Sequence, residues 1–477
     1  MQAIPFDNSY ARLPDSFFSA QLPTPVPAPG EIRINDALAQ SLGIDPAWLR
    51  SEEGLAVMAG NVVPEGATPI STVYAGHQFG NWNPQLGDGR AVLLGEVLST
   101  TGERFDIQLK GSGPTPYSRG GDGRAPLGPV LREYVVSEAM FALGIPTTRS
   151  LAAVTTGDKV YREVPEPGGV LCRVAHSHIR VGTFQYFASR GYHDELAALT
   201  GHALARHYPE AAGADNPALA LLDAVVTAQA SLIAAWQATG FIHGVMNTDN
   251  MLISGETVDY GPCAFMDNYH QDTVYSSIDV GGRYAYKNQP GIGHWNLMGL
   301  AQALLPLLGA DEDAAVEVAK AALDTYPERF LNAHRARMLA KIGLSYRDAD
   351  DEALVRDLLE AMQSANLDYT GTFRLLARVI AGEKEAPDIL KDWVVRWQAR
   401  VGGEDVAAAM DQVNPVYIPR NHLIELAIIA AVNDGDFQPF HDLVDVLENP
   451  FEARAGLERY ASGPGEGEVV QRTFCGT

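Results

Sequence analysis

The chain changes its hydrophobic rhythm once. From residue 71 to about 181 it is rich in glycine and carries short apolar runs such as AVLLGEV, RFDIQLK and GVLCRVA. That is the pattern of strands separated by tight turns, here interrupted by one helical stretch. Beyond about Asp194 the apolar residues recur at helical spacing, in windows such as ALALLDAVVTAQASLIAAW, LMGLAQALLPLL and DAAVEVAKAAL. A sheet-rich part followed by a helical part predicts an α+β fold. At 477 residues there is room for two or three domains or lobes.

Two segments depart from this division. Residues 22–30, LPTPVPAPG, place Pro at every second position, which favours an extended strap over a helix or central strand. Residues 251–261, MLISGETVDYG, read as two short strands around a Gly turn inside the helical half. A β-rich lobe, then a helical lobe with one hairpin after a polar loop, is the order of elements in protein kinases. The expected organisation is a protein-kinase-like two-lobed fold, with an N-terminal extension and strap over 1–70 and a nucleotide-binding N-lobe over 71–183. A C-lobe with catalytic and metal loops follows over 184–310, then a helical C-terminal extension over 311–477 that ends in a tail with Cys475.

Hydrophobic residues make up 46% and charged ones 20%, which excludes the disordered class. Asp and Glu number 59 against 35 Lys and Arg, a net charge of −24 that opposes binding to nucleic acid or to anionic membranes. A nucleotide pocket in such a chain needs locally concentrated Arg and Lys. No uninterrupted apolar run is long enough to span a bilayer, and MQAIPFDNSYARLP lacks a basic start followed by an apolar core, so a soluble, cytoplasmic protein is expected. Cys172, Cys263 and Cys475 are too few and scattered for a disulfide framework, and neither a CxxC pair nor an HExxH helix signals zinc.

The stretch LGDGRAVLLGEVLSTTGERFDIQLK places Gly87, Gly89 and Arg90 in a turn and ends a later strand on Lys110. Glycines let backbone approach phosphates and a Lys neutralises them, although a tight turn and a surface Lys explain the same pattern. The helix PVLREYVVSEAMFALG carries Glu133 and Glu138, and on spacing either can pair with Lys110. Between strand and helix runs a Gly-rich loop with Asp122, Gly123 and Arg124, open to phosphate or metal. Arg173 and Arg180 flank VAHSHI and can grip phosphate oxygens if both face one cleft. His176 and His178 in that stretch have no third ligand at metal spacing and read as non-ligands.

The most specific stretch is FIHGVMNTDNMLISGETVDYG. A His-led polar loop, an Asn before a strand and an Asp-x-Gly after a turn together place oxygen ligands for a metal, Asn250 and Asp259. Kinases carry their catalytic Asp two residues after the His, and here that place holds Val245. Asn250 keeps its place seven residues after His243, and the loop's carboxylate has moved to Asp249. Either the chain is an inactive scaffold, or Asp249 takes a proton from a differently placed hydroxyl.

Taken together, LGDGRA, IQLKGSGPTPYSRGGDGRAPLGPVLREY, CRVAHSHIRVGTFQ, HGVMNTDNM and DYGPCAFMD resemble the selenoprotein O family of protein adenylyltransferases, across most of residues 70 to 290. The resemblance implies ATP held in a flipped orientation, with Mg²⁺ or Mn²⁺, and transfer of AMP to Ser, Thr or Tyr hydroxyls of protein substrates. It implies that Gly87, Gly89, Arg90, Lys110, Asp122, Gly123, Arg173, Arg180 and Asp259 line the nucleotide. It assigns Glu133 to pair with Lys110, Asn250 and Asp259 to the metal, and Asp249 to accept the proton. The ending TFCGT is similar to the family's, which makes Cys475 a redox position with Cys263 as one partner for a disulfide. The alternatives are an ATP-dependent phosphotransferase and a nucleotide-binding pseudokinase scaffold.

Overall fold

A computed structural model describes residues 4–402 and 405–474. The turn-punctuated apolar runs form β1 (Phe18–Ala20), β2 (Gly30–Ile34), β3 (Ile70–Gln78), β4 (Asn81–Gly87), β5 (Ala91–Leu98), β6 (Arg104–Lys110), β7 (Ala125–Pro126), β8 (Arg149–Tyr161) and β9 (Pro165–Ala175). They make one sheet in the order β1-β3-β5-β6-β9-β8-β2, with β4 on β3, β7 on β9 and every pairing antiparallel. The Pro-rich strap is extended, without helix or strand, up to the start of β2.

Both faces of the sheet are covered, which is why its central strands read as continuous apolar runs. Successive side chains alternate between two cores. Leu93 and Leu171 join the helix Leu127–Ala142 on one face, whereas Leu94, Val170 and Cys172 meet Leu38, Leu49 and Val57 from short helices on the other.

The second half is helical, as its periodicity predicts. Its longest element, Pro217–Thr239, starts on Asn216, whose side chain accepts from Leu219 N–H, has Pro at its first position and stops at Gly240 in the left-handed region. Among the described residues it is the one helix apolar and long enough by composition to cross a membrane, and most of its apolar stretch is buried inside the fold. The helices Asn421–Asp434 and Gln438–Leu447 return to lie against Leu127–Ala142.

One expectation fails. The stretch 251–261 is not a hairpin, because its two arms pair outward instead of with each other. Val181 N–H donates to Met251 O and Ile253 N–H to Ile179 O on one side, while Thr257 N–H donates to Pro146 O and Thr148 N–H to Thr257 O on the other. A periodicity of two cannot say which backbone a strand will meet. The short pair in this half is instead β10 (Phe241–Ile242) with β11 (Ala264–Phe265).

The helix Val181–Ala188 wedges between β3 and the 248–250 turn at Gly182, where an added Cβ would lie 2.1 Å from Ala75 O and 3.5 Å from Asp249 Cα. Backbone cannot step aside as a side chain can. Gly182→Ala is therefore expected to lose about 1–3 kcal/mol of stability in urea unfolding followed by circular dichroism. An unchanged unfolding midpoint would show that this contact has slack.

Candidate active site

Period-two geometry puts Gln108 and Lys110 of β6 on one face, and register sets Arg173 of β9 opposite Gln108. Arg173 Nε and Nη2 both donate to Gln108 Oε1, at 3.2 and 2.8 Å. Glu133 reaches this face from its helix, taking Lys110 Nζ on Oε2 at 2.5 Å and Arg173 Nη1 on Oε1 at 3.1 Å. Glu138 faces the other way. It accepts from Arg149, Asn35 and Ser150 N–H and borders a separate recess of about 800 Å³ behind the helix. The choice that spacing leaves open between the two carboxylates is thus made by which side of the helix meets the sheet.

Asp259 closes the cluster from the helical half. Its backbone is in the left-handed region, at φ 63°, a conformation rare enough for a non-glycine residue to mark a constrained site. Its Oδ1 accepts from Lys110 Nζ at 2.8 Å and Arg173 Nη1 at 2.9 Å, and Arg180 Nη2 stands 3.6 Å from Oδ2. Burial opposes ionisation of Asp259, but the charges of Lys110, Arg173 and Arg180 outweigh it and hold the carboxyl well below the usual range. Arg180 also bonds Asp88 Oδ1 at 3.2 Å and lies 4.3 Å over the Tyr74 ring.

Asp249 sits apart from this charge clamp. The turn Thr248–Asn250 is tied to β3 through His77 N–H on Thr248 Oγ1 (2.8 Å), and Asn247 just before it is tied to the residue after β3 through Phe79 N–H on Asn247 Oδ1 (3.0 Å). Gln78 Nε2 donates to Asp249 Oδ2 at 3.0 Å, while Oδ1 is buried without a partner. Burial pushes the carboxyl up to about 6, with the Gln78 bond and the Arg180 charge only partly offsetting it. His243 links the two loops, with Nε2 2.9 Å from Val258 O and Nδ1 3.3 Å from Val245 N.

Lys110, Arg173, Arg180, Asp259, Asp249, Asp88, Tyr74 and Gln78 line one cavity of about 480 Å³, together with Gly87, Gly89, Arg90, Asp122, Gly123 and Asn250, whereas Glu133, Gln108 and His243 stand behind it. Gly87 and Gly89 are required by a close neighbour: a Cβ on Gly87 would fall 2.4 Å from the Tyr117 ring, and one on Gly89 2.8 Å from Tyr117 O. Asp122 is held by Arg162 at 2.9 and 3.0 Å. His176 and His178 each face a carboxylate, Glu256 and Asp106, away from this cavity. Cys263 is buried and donates to Tyr260 O, and Cys475 lies outside the described residues.

The sequence does not single out Asp88, Tyr74, Gln78, Arg119 and Arg162, which line the cavity, or Gln108, which holds Arg173. Gln108 was within reach of sequence reasoning, two residues before Lys110 on one strand face.

The oxygen donors suit a hard divalent cation. Asn250 Nδ2 donates to Val245 O at 3.0 Å, which leaves its amide oxygen uncommitted to that bond, and Asp259 is an ionised carboxylate in the same cavity. No group of three or more His, Cys, Asp or Glu poised for a metal occurs among the described residues. A cation here would take further ligands from phosphate and water.

The raised affinity of Asp249 for a proton is also a statement about stability. A carboxyl whose folded value exceeds its unfolded one contributes fully below the unfolded value of 3.8, and that contribution is lost as pH rises through about 6. Asp249→Asn should therefore be more stable than the unsubstituted protein at pH 8, by at most about 3 kcal/mol, with the difference vanishing toward pH 4. Urea unfolding at the two pH values measures it, and a pH-independent difference would mean that the carboxyl is not held in this way.

A model of the family described as protein adenylyltransferase SelO matches residues 1–448. A protein nucleotidyltransferase YdiU from Rhodopseudomonas palustris (strain BisB5) is 58% identical over 99% of both chains. Proteins of the same name from Rhizobium johnstonii and Bradyrhizobium sp. (strain BTAi1 / ATCC BAA-1182) are 56% and 55% identical, over 98–99% of their lengths. With the family model spanning nearly the whole chain and relatives this similar end to end, the chain belongs to the SelO family of protein adenylyltransferases.

Proposed function

We propose that this protein transfers AMP from ATP to a hydroxyl of a protein substrate, within a protein-kinase-like pair of lobes whose cleft is the 480 Å³ cavity. The observation that carries the reading is the pairing, in one cavity, of a cluster of cations with a buried carboxylate that has a proton affinity near neutrality. Lys110, Arg173 and Arg180, with Arg90 at the cavity wall, stabilise charge on the triphosphate, and Glu133 holds Lys110 and Arg173 in place. Asn250 and Asp259 would hold Mg²⁺ or Mn²⁺, which supplies charge neutralisation to the phosphates when bound.

Asp249 accepts the proton of a Ser, Thr or Tyr hydroxyl. The hydroxyl oxygen forms a bond to the α-phosphorus, the bond from that phosphorus to the bridging oxygen breaks, and pyrophosphate leaves with the electron pair. A base near pH 6 suits this task, since it is ionised at neutral pH yet still basic enough to take a proton.

Purified protein with ATP labelled at the α- or the γ-phosphate, Mg²⁺ or Mn²⁺ and a mixture of acceptor proteins tests the reading. Protein-bound α-label alone is expected, lowered about 10²–10⁴-fold in Asp249→Ala and likewise lost in Asp259→Ala. Label from the γ-phosphate alone would make the protein a phosphotransferase, and no label from either would leave a scaffold.

The same assay has a pH signature. Asp249 works as its carboxylate, so kcat/KM should rise with pH to a plateau above about 6, and the rise should disappear from the residual rate of Asp249→Ala. A rate that falls over that range would assign the proton acceptor elsewhere.

A further inference from the structure

Outside the cavity lining, beside Tyr284, whose hydroxyl bonds Asn247 two residues before Asp249, stands a cation that the chemistry above does not use. Arg283 has no carboxylate within ion-pair distance among the described residues, and its Nε is buried without a hydrogen-bond partner. The nearby carboxylate of Asp279 is occupied by backbone, taking Arg283 N–H on Oδ1 at 2.9 Å and Tyr284 N–H on Oδ2 at 2.8 Å. The guanidinium instead rests 4.8 Å from the Trp295 ring centroid and 5.7 Å from that of Tyr284. In a chain of net charge −24, an Arg left without an acid is a local reversal of the prevailing field.

Its surroundings are aromatic and tied to the base. His77 lies between Trp82 (4.8 Å) and Trp295 (5.2 Å), and the Trp82 side of this floor is exposed. The β3–β4 turn crosses Arg283 at Gly80, and Phe79 beside it holds φ 52°, a strained conformation for a non-glycine residue that persists where the surroundings impose it. What imposes it is visible: Phe79 N–H and Tyr284 O–H both donate to Asn247 Oδ1, at 3.0 and 2.6 Å, two residues before Asp249. Phe79 and Ile278 line the cavity beside Asp249, whereas Arg283 stands outside the lining that faces the phosphate-binding cations.

The geometry points to Arg283 as the docking point for an acidic side chain of the acceptor protein, next to the hydroxyl presented to Asp249, with the Trp82–His77–Trp295 floor under the neighbouring residues. A guanidinium offers a carboxylate two parallel donors, and its aromatic stacking leaves that edge pre-oriented. The assignment rests on the adenylyl-transfer reading of the site, and it adds which acceptor segments that site selects.

Short fluorescein-labelled peptides with one central Ser, Thr or Tyr, flanked by Glu, Ala or Lys, separate the two statements. Binding is read by anisotropy in the presence of Mg²⁺ and a non-hydrolysable ATP analogue, and transfer by α-phosphate label. Glu-flanked peptides are expected to bind about tenfold tighter than Lys-flanked ones, with the difference lost in Arg283→Gln and largely kept in Arg283→Lys. The order of transfer should follow through KM more than kcat. Melting temperature and ATP affinity verify that each variant is folded, and the preference of the unsubstituted protein is informative by itself. Equal binding of Glu- and Lys-flanked peptides, or a preference that survives in Arg283→Gln, overturns the docking assignment even where α-label is found on the peptides. A binding preference without any α-label supports the docking point and removes the transfer reading instead.

Discussion

Asp259 is the charge on which the site converges. Lys110 from β6, Arg173 from β9 and Arg180 at the start of the helix Val181–Ala188 all approach one carboxylate on a strained turn, and Glu133 and Asp88 pair with the same cations from the other side. Three cations stand against three carboxylates. A buried cluster of this kind costs several kcal/mol when one partner is removed, because the others are left charged and unpaired. It therefore acts as a single unit that fixes the sheet, the helix carrying Glu133 and the 259 turn relative to one another.

The loop carrying Asp249 is held by a different kind of force. Hydrogen bonds from the backbone of His77 and Phe79 and from the Gln78 side chain fasten Thr248, Asn247 and Asp249 with no cation in direct contact, so burial decides the behaviour of Asp249 where charge decides that of Asp259. Two carboxylates in one cavity are thereby driven in opposite directions, one kept ionised and the other made basic, a separation set by environment. The His243 ring, bridging Val258 and Val245, keeps the two environments in fixed register.

How much of this was legible follows from what each signal physically encodes. Alternation along RFDIQLK and GVLCRVA yields β6 and β9 because side-chain direction is a local property of a strand, and Lys110 and Arg173 follow from it. The polar loop places Asn250 and Asp259 by spacing alone. Pairing is not local: the arms of 251–261 look like a hairpin until Ile179 and Pro146 claim their backbone, and Glu133 looks equivalent to Glu138 until the sheet takes one side of the helix and Arg149 the other. Asp88 carries no local signal of its own, since a carboxylate between two glycines reads as part of a turn, and only the fold brings Arg180 to it.

The C-terminal helices show the same limit in its strongest form, since their sequence reads as an appended extension and their packing makes them part of the site's support. Glu425 pairs with Arg132, the residue next to Glu133, and Phe440 meets the ring of Tyr134 on its other side. Asp445 and Glu448 hold Arg33 of β2. The helix carrying Glu133 is thus gripped by the sheet on one flank and by residues some three hundred positions later on the other. Side chains so confined are held in one geometry by the protein itself, and donors fixed in this way need no reorganisation to meet a charge, whereas donors that must reorganise lose most of their effect.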